Sequence, residues 1–188
     1  MTVFLETTRL RLRQFTEADA PRLFALDGDS EVMRYCGPRP GADEAAYLHR
    51  LRTVHFAYYA ASPSFGFWAV EALGSADFLG WFHLRPALDY RFAAEAGYRA
   101  GDFDLGYRLI RTAWGKGFAT EVSRVLIERA FAQPSVEAVV ACALAANAAS
   151  IRVMEKMGMK KARDCELPEF GPAVTYRVYR LHRVRSEE

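Results

Sequence analysis

From Val136 to Leu144 the chain reads VEAVVACAL, apolar at nearly every position rather than at every second one. A strand of that kind needs cover on both faces, so it is expected as a central strand of a sheet clad by helices. The segments on either side fit that requirement. Asp102 to Ile110 is a strand, and Gly117 to Phe131 has the apolar stripe of a helix at Phe118, Val122, Val125 and Leu126. Ala148 to Met157 is a short helix, and strands near Met159–Glu166 and Ala173–Leu181 close the chain.

Upstream, RLRLRQF (Arg9 to Phe15) alternates leucine with arginine and reads as a half-buried opening strand. Thr16 is a natural N-cap for the helix that follows. Asp29 to Tyr35 reads as a second short helix. Asp43 to about Ala60 reads as one longer helix, with Tyr47, Leu51, Val54 and Tyr58 at three- and four-residue spacing. Phe65–Glu71 and Asp77–Leu84 form a hairpin, and the Ala-rich stretch Ala87 to Gly101 is irregular. The expected fold is a single mixed α/β (α+β) domain over residues 1–188, with about seven strands and flanking helices. No linker or internal repeat divides it.

Composition narrows the partners. A net charge of +2, with acids interspersed among the arginines, leaves no basic face for nucleic acid. Arg177 to Arg185 reads as an alternating strand with a solvated tail. Three cysteines without CxxC spacing suggest neither a disulfide framework nor a metal site. The N-terminal residues lack a basic-then-apolar leader and no apolar run has membrane-spanning length, so a reduced cytoplasm is expected.

The chemistry concentrates in AWGKGFATE, Ala113 to Glu121. Backbone without a Cβ approaches an anion closely, and free N–H groups at a helix start carry partial positive charge. The spacing is neither GxxxxGK[ST] nor GxGxxG, so an ordinary strand-to-helix turn also explains it. Further on, Asn147-Ala-Ala-Ser150 opens a helix that ends at Met157-Gly158. Asn147 reads as its N-cap and Gly158 as a left-handed C′ residue. Asn147, Ser150 and Met154 share one face, and the first two offer polar groups to a ligand along it.

Taken in order, DLGYRL, WGKGFATE and NAASIRVMEKMGM resemble the GNAT superfamily of acyl-CoA-dependent N-acetyltransferases. The opening FLETTRLRLRQFTEADAPRLF resembles the RimJ/RimL-type subgroup. The resemblance covers nearly the whole chain. It implies a twisted sheet whose fourth and fifth strands splay to admit acetyl-CoA. It implies that backbone N–H groups from Gly115 through Lys116, Gly117 and Ala119 to Thr120 hold the pyrophosphate. Main-chain groups of Leu109 and Arg111 would pair with pantetheine as an extra strand, and Asn147 would bond the pantetheine arm. Trp114 stands where the family has Gln or Arg.

Acetyl transfer to an amine needs a proton acceptor, stabilisation of the oxyanion and help for the departing thiolate. Asp104 stands where many relatives carry a catalytic glutamate; it reads as that base, working through a bridging water, or as an ordinary strand carboxylate. Met154 stands where relatives carry a tyrosine and cannot donate a proton, which leaves Ser150 as the hydroxyl on that face, or as a helix-terminus residue. His83, in the apolar strand FLGWFHL, is a candidate base or substrate contact or else a core histidine. On the acceptor side Trp81 and Tyr35 are candidates beside Tyr58, Tyr59 and Trp68, though aromatics there also serve as core. Glu166 and Glu169 are candidates to meet a cationic amine. The implied activity is transfer of acetyl to a protein N-terminus, amino acid, polyamine or aminoglycoside, by a metal-free monomer or homodimer. The alternative is an acyl-CoA-binding sensor without turnover.

Overall fold

The computed structural model describes residues 2–167 and 174–184; Glu169 and Arg185 lie outside them. The strands are β1 (Val3–Glu6), β2 (Leu10–Arg13), β3 (Gly66–Ala72), β4 (Phe78–Pro86), β5 (Asp102–Leu109), β6 (Ala138–Leu144), β7 (Lys160–Glu166) and β8 (Thr175–His182). The helices are α1 (Ala20–Gly28), α2 (Ser30–Met33), α3 (Glu44–Arg50), α4 (Phe56–Ala61), α5 (Ala93–Ala96), α6 (Phe118–Phe131) and α7 (Ala148–Lys156). The strands form one mixed, mostly antiparallel sheet of eight, in the order β1-β2-β3-β4-β5-β6-β8-β7. The strand beyond the expected seven is β1, whose four residues are too few to display a period. Among the described residues, no helix is long and apolar enough to cross a membrane.

The chain divides into two compact units, one running to His83 and including Tyr107–Val122, the other comprising Leu84–Gly106 and the chain from Ser123 onward. In the first unit β2 pairs antiparallel with β3, from Leu10↔Ala72 to Arg13↔Ala69. Leu10 and Leu12 are fully buried, as their alternation requires. Arg13 is buried as well, because Asp19 takes its guanidinium in a fork at 2.7 and 2.8 Å and Glu71 accepts from Nε at 2.7 Å. The expected helix from Asp43 to Ala60 is interrupted. A π turn at Leu51–His55 separates α3 from α4, with Phe56 N–H bonding the Leu51 carbonyl. The wide turn keeps Leu51 and His55 buried and delivers Tyr59 to the core, where its hydroxyl donates to the Phe67 carbonyl and accepts from Phe15 N–H.

In the second unit β5 and β6 run parallel, and β6 pairs antiparallel with β8 over seven rungs, from Ala138↔His182 to Leu144↔Tyr176. Val139 and Val140 are fully buried, as a central strand demands. The parallel ladder holds only Asp102↔Ala138, Phe103↔Val139 and Asp104↔Val140, although both strands continue. The stretch expected to be irregular contains α5 and a 3-10 turn at Ala87–Asp89. Its Ala87, Phe92, Ala93, Ala96 and Tyr98 pack with Val140, Tyr176 and Val178. Burial of that apolar face, rather than helix propensity, orders it.

Candidate active site

The glycine turn lies wholly in the first unit. Leu109 ends β5, and a 3-10 turn at Arg111–Ala113 leads to Trp114. Gly115 and Gly117 adopt φ of +72° and +81°, the left-handed region open to glycine at little cost. A Cβ on Gly115 would meet nothing within 4 Å, and one on Gly117 only Arg9 Nη2 at 3.5 Å. The turn therefore presents bare, open backbone. Glu121 N–H bonds the Gly117 carbonyl at 3.0 Å and starts the helical ladder of α6. The N–H groups of Phe118, Ala119 and Thr120 consequently fall in a first turn that offers no intrahelical acceptors. This arrangement fits an anion such as a pyrophosphate.

Trp114 ties this turn to the strand. Its indole Nε1–H donates to the Leu109 carbonyl at 2.8 Å, and its backbone N–H to the Arg111 carbonyl at 3.0 Å. Arg111 opens the 3-10 turn directly after the end of β5. The Leu109 carbonyl is therefore an acceptor for Trp114.

Asp104 stands in the second unit, on the last rung of the parallel ladder, and is buried. Tyr90 hydroxyl donates to its Oδ2 at 2.8 Å and Tyr98 hydroxyl reaches Oδ1 at 3.4 Å. Burial first, then the Asp104 charge, pushes both phenols well above their ordinary range, so they stay protonated and donate. Arg85 lies over the Tyr90 ring, its guanidinium carbon 3.7 Å from the centroid. Cys142 on β6 belongs to the same cluster; burial, then Asp104, pushes its thiol up to about 12. Asp102, two residues earlier on the same face, differs in kind. Arg180 grips both its oxygens, at 2.5 and 2.6 Å, and it accepts from Arg99 N–H. Asp102 is thus paired with a cation, and Asp104 accepts from two phenols.

In α7, also in the second unit, Asn147 Oδ1 accepts from Ser150 N–H at 3.2 Å as the N-cap. The C-terminus is a Schellman closure, with Met159 N–H on the Met154 carbonyl and Gly158, at φ +78°, donating to Glu155. Met154 is buried while Asn147 and Ser150 remain half-exposed.

The aromatic candidates separate. Trp81 and His83 stack at 5.6 Å, with Phe67 edge-on to His83 at 5.1 Å. Arg108 lies over Trp81 and pairs with Asp27, which also accepts from the Tyr47 hydroxyl at 3.0 Å. Tyr35 is half-buried under Arg34. Trp68 is core, stacked on Phe4 at 4.1 Å, and Tyr59 is spent on backbone. Sequence reasoning missed Tyr90 and Tyr98 because they lie in a stretch without periodicity. It also missed the Arg9–Glu121 pair, because nothing local to RLRLR or FATE links the two charges.

The sheet thus pairs β5 and β6 in parallel over three rungs, and a glycine turn follows β5 and opens α6. The family model described as Acetyltransferase (GNAT) domain matches residues 9–160, and the chain belongs to that family and is an acyltransferase. It is 29% identical over 161 residues to the uncharacterized N-acetyltransferase YoaA of Bacillus subtilis, covering 86% of this chain and 85% of that one. It is 30% identical over 157 residues to the FsC-acetyl coenzyme A-N(2)-transacetylase of Aspergillus fumigatus, covering 82% of this chain and 64% of that protein. Among solved structures, the RimL ribosomal L7/L12 α-N-protein acetyltransferase in complex with coenzyme A shares the fold, with a TM-score of 0.75 at 13% identity over 96% of this chain and 97% of that one.

Proposed function

We propose that this enzyme transfers acetyl from acetyl-CoA to a primary amine, as a member of the RimJ/RimL-like subgroup. The observation that carries the cosubstrate reading is the left-handed glycine turn with its open backbone at the head of α6. Backbone N–H groups from Gly115 through Thr120 hold the pyrophosphate, and Asn147 bonds the pantetheine arm with its amide N–H₂ while its oxygen caps α7. The thioester, when bound, supplies the activated acetyl group.

Asp104 accepts the proton of the incoming ammonium, directly or through one water, with Tyr90 and Tyr98 fixing the orientation of its carboxylate. Ser150 donates a hydrogen bond to the departing thiolate. Of the acceptor classes, a protein N-terminus is the one favoured by the resemblance of the opening segment to the RimJ/RimL type. The aromatic group of Trp81 and His83 supports an acceptor-side role for these two residues, with Tyr35 a further contact.

The test is a panel of N-terminal peptides, amino acids, polyamines and aminoglycosides, followed by free-thiol release from acetyl-CoA and mass spectrometry of the acceptor. One class should gain a single acetyl group with matching thiol release. Tight CoA binding without turnover on any amine would favour the sensor reading instead, and absence of CoA binding would overturn the glycine-turn assignment.

A further inference from the structure

Arg9, at the mouth of β2, is 47% exposed at its side chain yet fully engaged. Its Nε donates to Glu121 Oε2 at 2.7 Å, and Nη2 lies 2.6 Å from the same oxygen. Its backbone N–H reaches Glu121 Oε1 at 3.1 Å, where Thr7 hydroxyl also donates at 2.6 Å. The guanidinium rests on the Phe118 ring at 4.6 Å. Its remaining directed contact is Nη1 to the Lys116 carbonyl, at 2.9 Å.

That carbonyl belongs to the peptide between Lys116 and Gly117. In a trans peptide the C=O and the following N–H point in opposite directions. Holding the Lys116 oxygen therefore aims the Gly117 N–H away from Arg9. A flip of this peptide changes ψ of Lys116 and φ of Gly117, and Gly117, at φ +81°, has no Cβ to forbid the alternative. A flipped peptide would present a carbonyl oxygen where an anion needs a donor.

We propose that Arg9, braced by Glu121 and Thr7, is a positioning residue that locks the Lys116–Gly117 peptide in the donor-outward orientation required for pyrophosphate. The inference rests on the reading of the turn as the pyrophosphate site. Arg9 carries no net charge to the ligand, since Glu121 balances it; its contribution is orientation. Lysine cannot replace it, because a single ammonium lacks the planar fork that reaches carboxylate and carbonyl together.

The experiment measures CoA affinity by calorimetry, the Gly117 amide resonance by ¹⁵N NMR and thermal stability, for wild type, Arg9→Ala, Arg9→Lys, Glu121→Gln and Gly117→Val. Arg9→Ala should weaken CoA roughly tenfold or more, the scale of one hydrogen bond to a charged group. It should also shift or broaden the Gly117 amide in the ligand-free protein. Arg9→Lys and Glu121→Gln should do so to a lesser degree, and they decide the matter if Arg9→Ala does not fold. Variants at Arg9 that melt earlier but keep CoA affinity and the Gly117 resonance overturn the inference. If they keep affinity while Gly117→Val loses it, the turn still holds pyrophosphate and only the role of Arg9 falls. A wild-type protein that does not bind CoA removes both.

Discussion

Tyr90 donates its phenolic hydrogen to Asp104 Oδ2 at 2.8 Å, from a segment that joins β4 to β5, onto the last residue of β5 that pairs with β6. The carboxylate is thereby fixed by a neutral donor at the point where the parallel ladder stops. Asp102, two residues earlier on the same face, is gripped by Arg180 through both oxygens.

Asp104→Asn should lower turnover at neutral pH roughly 10²-fold, the usual scale for a lost general base. The loss should shrink at high pH, where the acceptor amine is already free. Tyr90→Phe keeps the carboxylate but removes its orienting donor, so a smaller fall in kcat is expected with CoA affinity unchanged. Superimposable pH–rate profiles for wild type and Asp104→Asn would make the carboxylate structural.

Gly117→Val places a β-branched side chain at a φ of +81° and covers backbone that is otherwise open. Calorimetry should show CoA binding weakened well beyond the roughly 1–2 kcal/mol that the backbone strain costs the fold. Equal affinity in mutant and wild type would remove the turn from the binding site.

Asn147 and Ser150 separate capping from chemistry. Asn147→Ala removes the acceptor for Ser150 N–H and should cost about 1 kcal/mol of stability. Ser150→Ala leaves that bond in place, because the cap uses the backbone N–H. It should therefore lower kcat more than it raises the KM for acetyl-CoA, with little change in melting temperature. An unchanged kcat would leave solvent as the proton source.

The buried Arg13 group carries a pH prediction. Burial alone would raise the Asp19 carboxyl, but hydrogen bonds from Arg13, Thr16 and Arg22 outweigh it and hold it below the ordinary range. A depressed folded value contributes stability that is complete above about pH 4 and lost as pH falls through the lowered value. Arg13→Met removes the strongest of these lowering contacts and leaves Arg22 at 3.0 Å from Asp19, at a cost of about 3–5 kcal/mol. Denaturant melts should find the gap between wild type and variant widest at neutral pH and narrower below about pH 4, where wild type loses the Asp19 contribution. A gap that does not change with pH would remove the linkage.

Local pattern was enough for most of the elements. The doubly apolar run at Val139 and Val140 required a central strand, the alternation of Leu10 and Leu12 required a half-buried one, and Asn147 and Gly158 marked both ends of α7. The glycine turn was equally readable, because the glycines on either side of Lys116 set its left-handed backbone. Contacts distant in sequence were not readable. Arg9 lies 112 residues from the glutamate that braces it, and nothing in RLRLR distinguishes it from a solvated strand arginine. Tyr90 and Tyr98 reach Asp104 only because α5 buries its apolar face against β6 and β8. Periodicity reports which face of an element is buried, whereas the partner a polar group finds depends on how separate elements pack. That is why the sequence alone determined the architecture and the turn, and only the tertiary structure decided how Asp104 and the Lys116–Gly117 peptide are held.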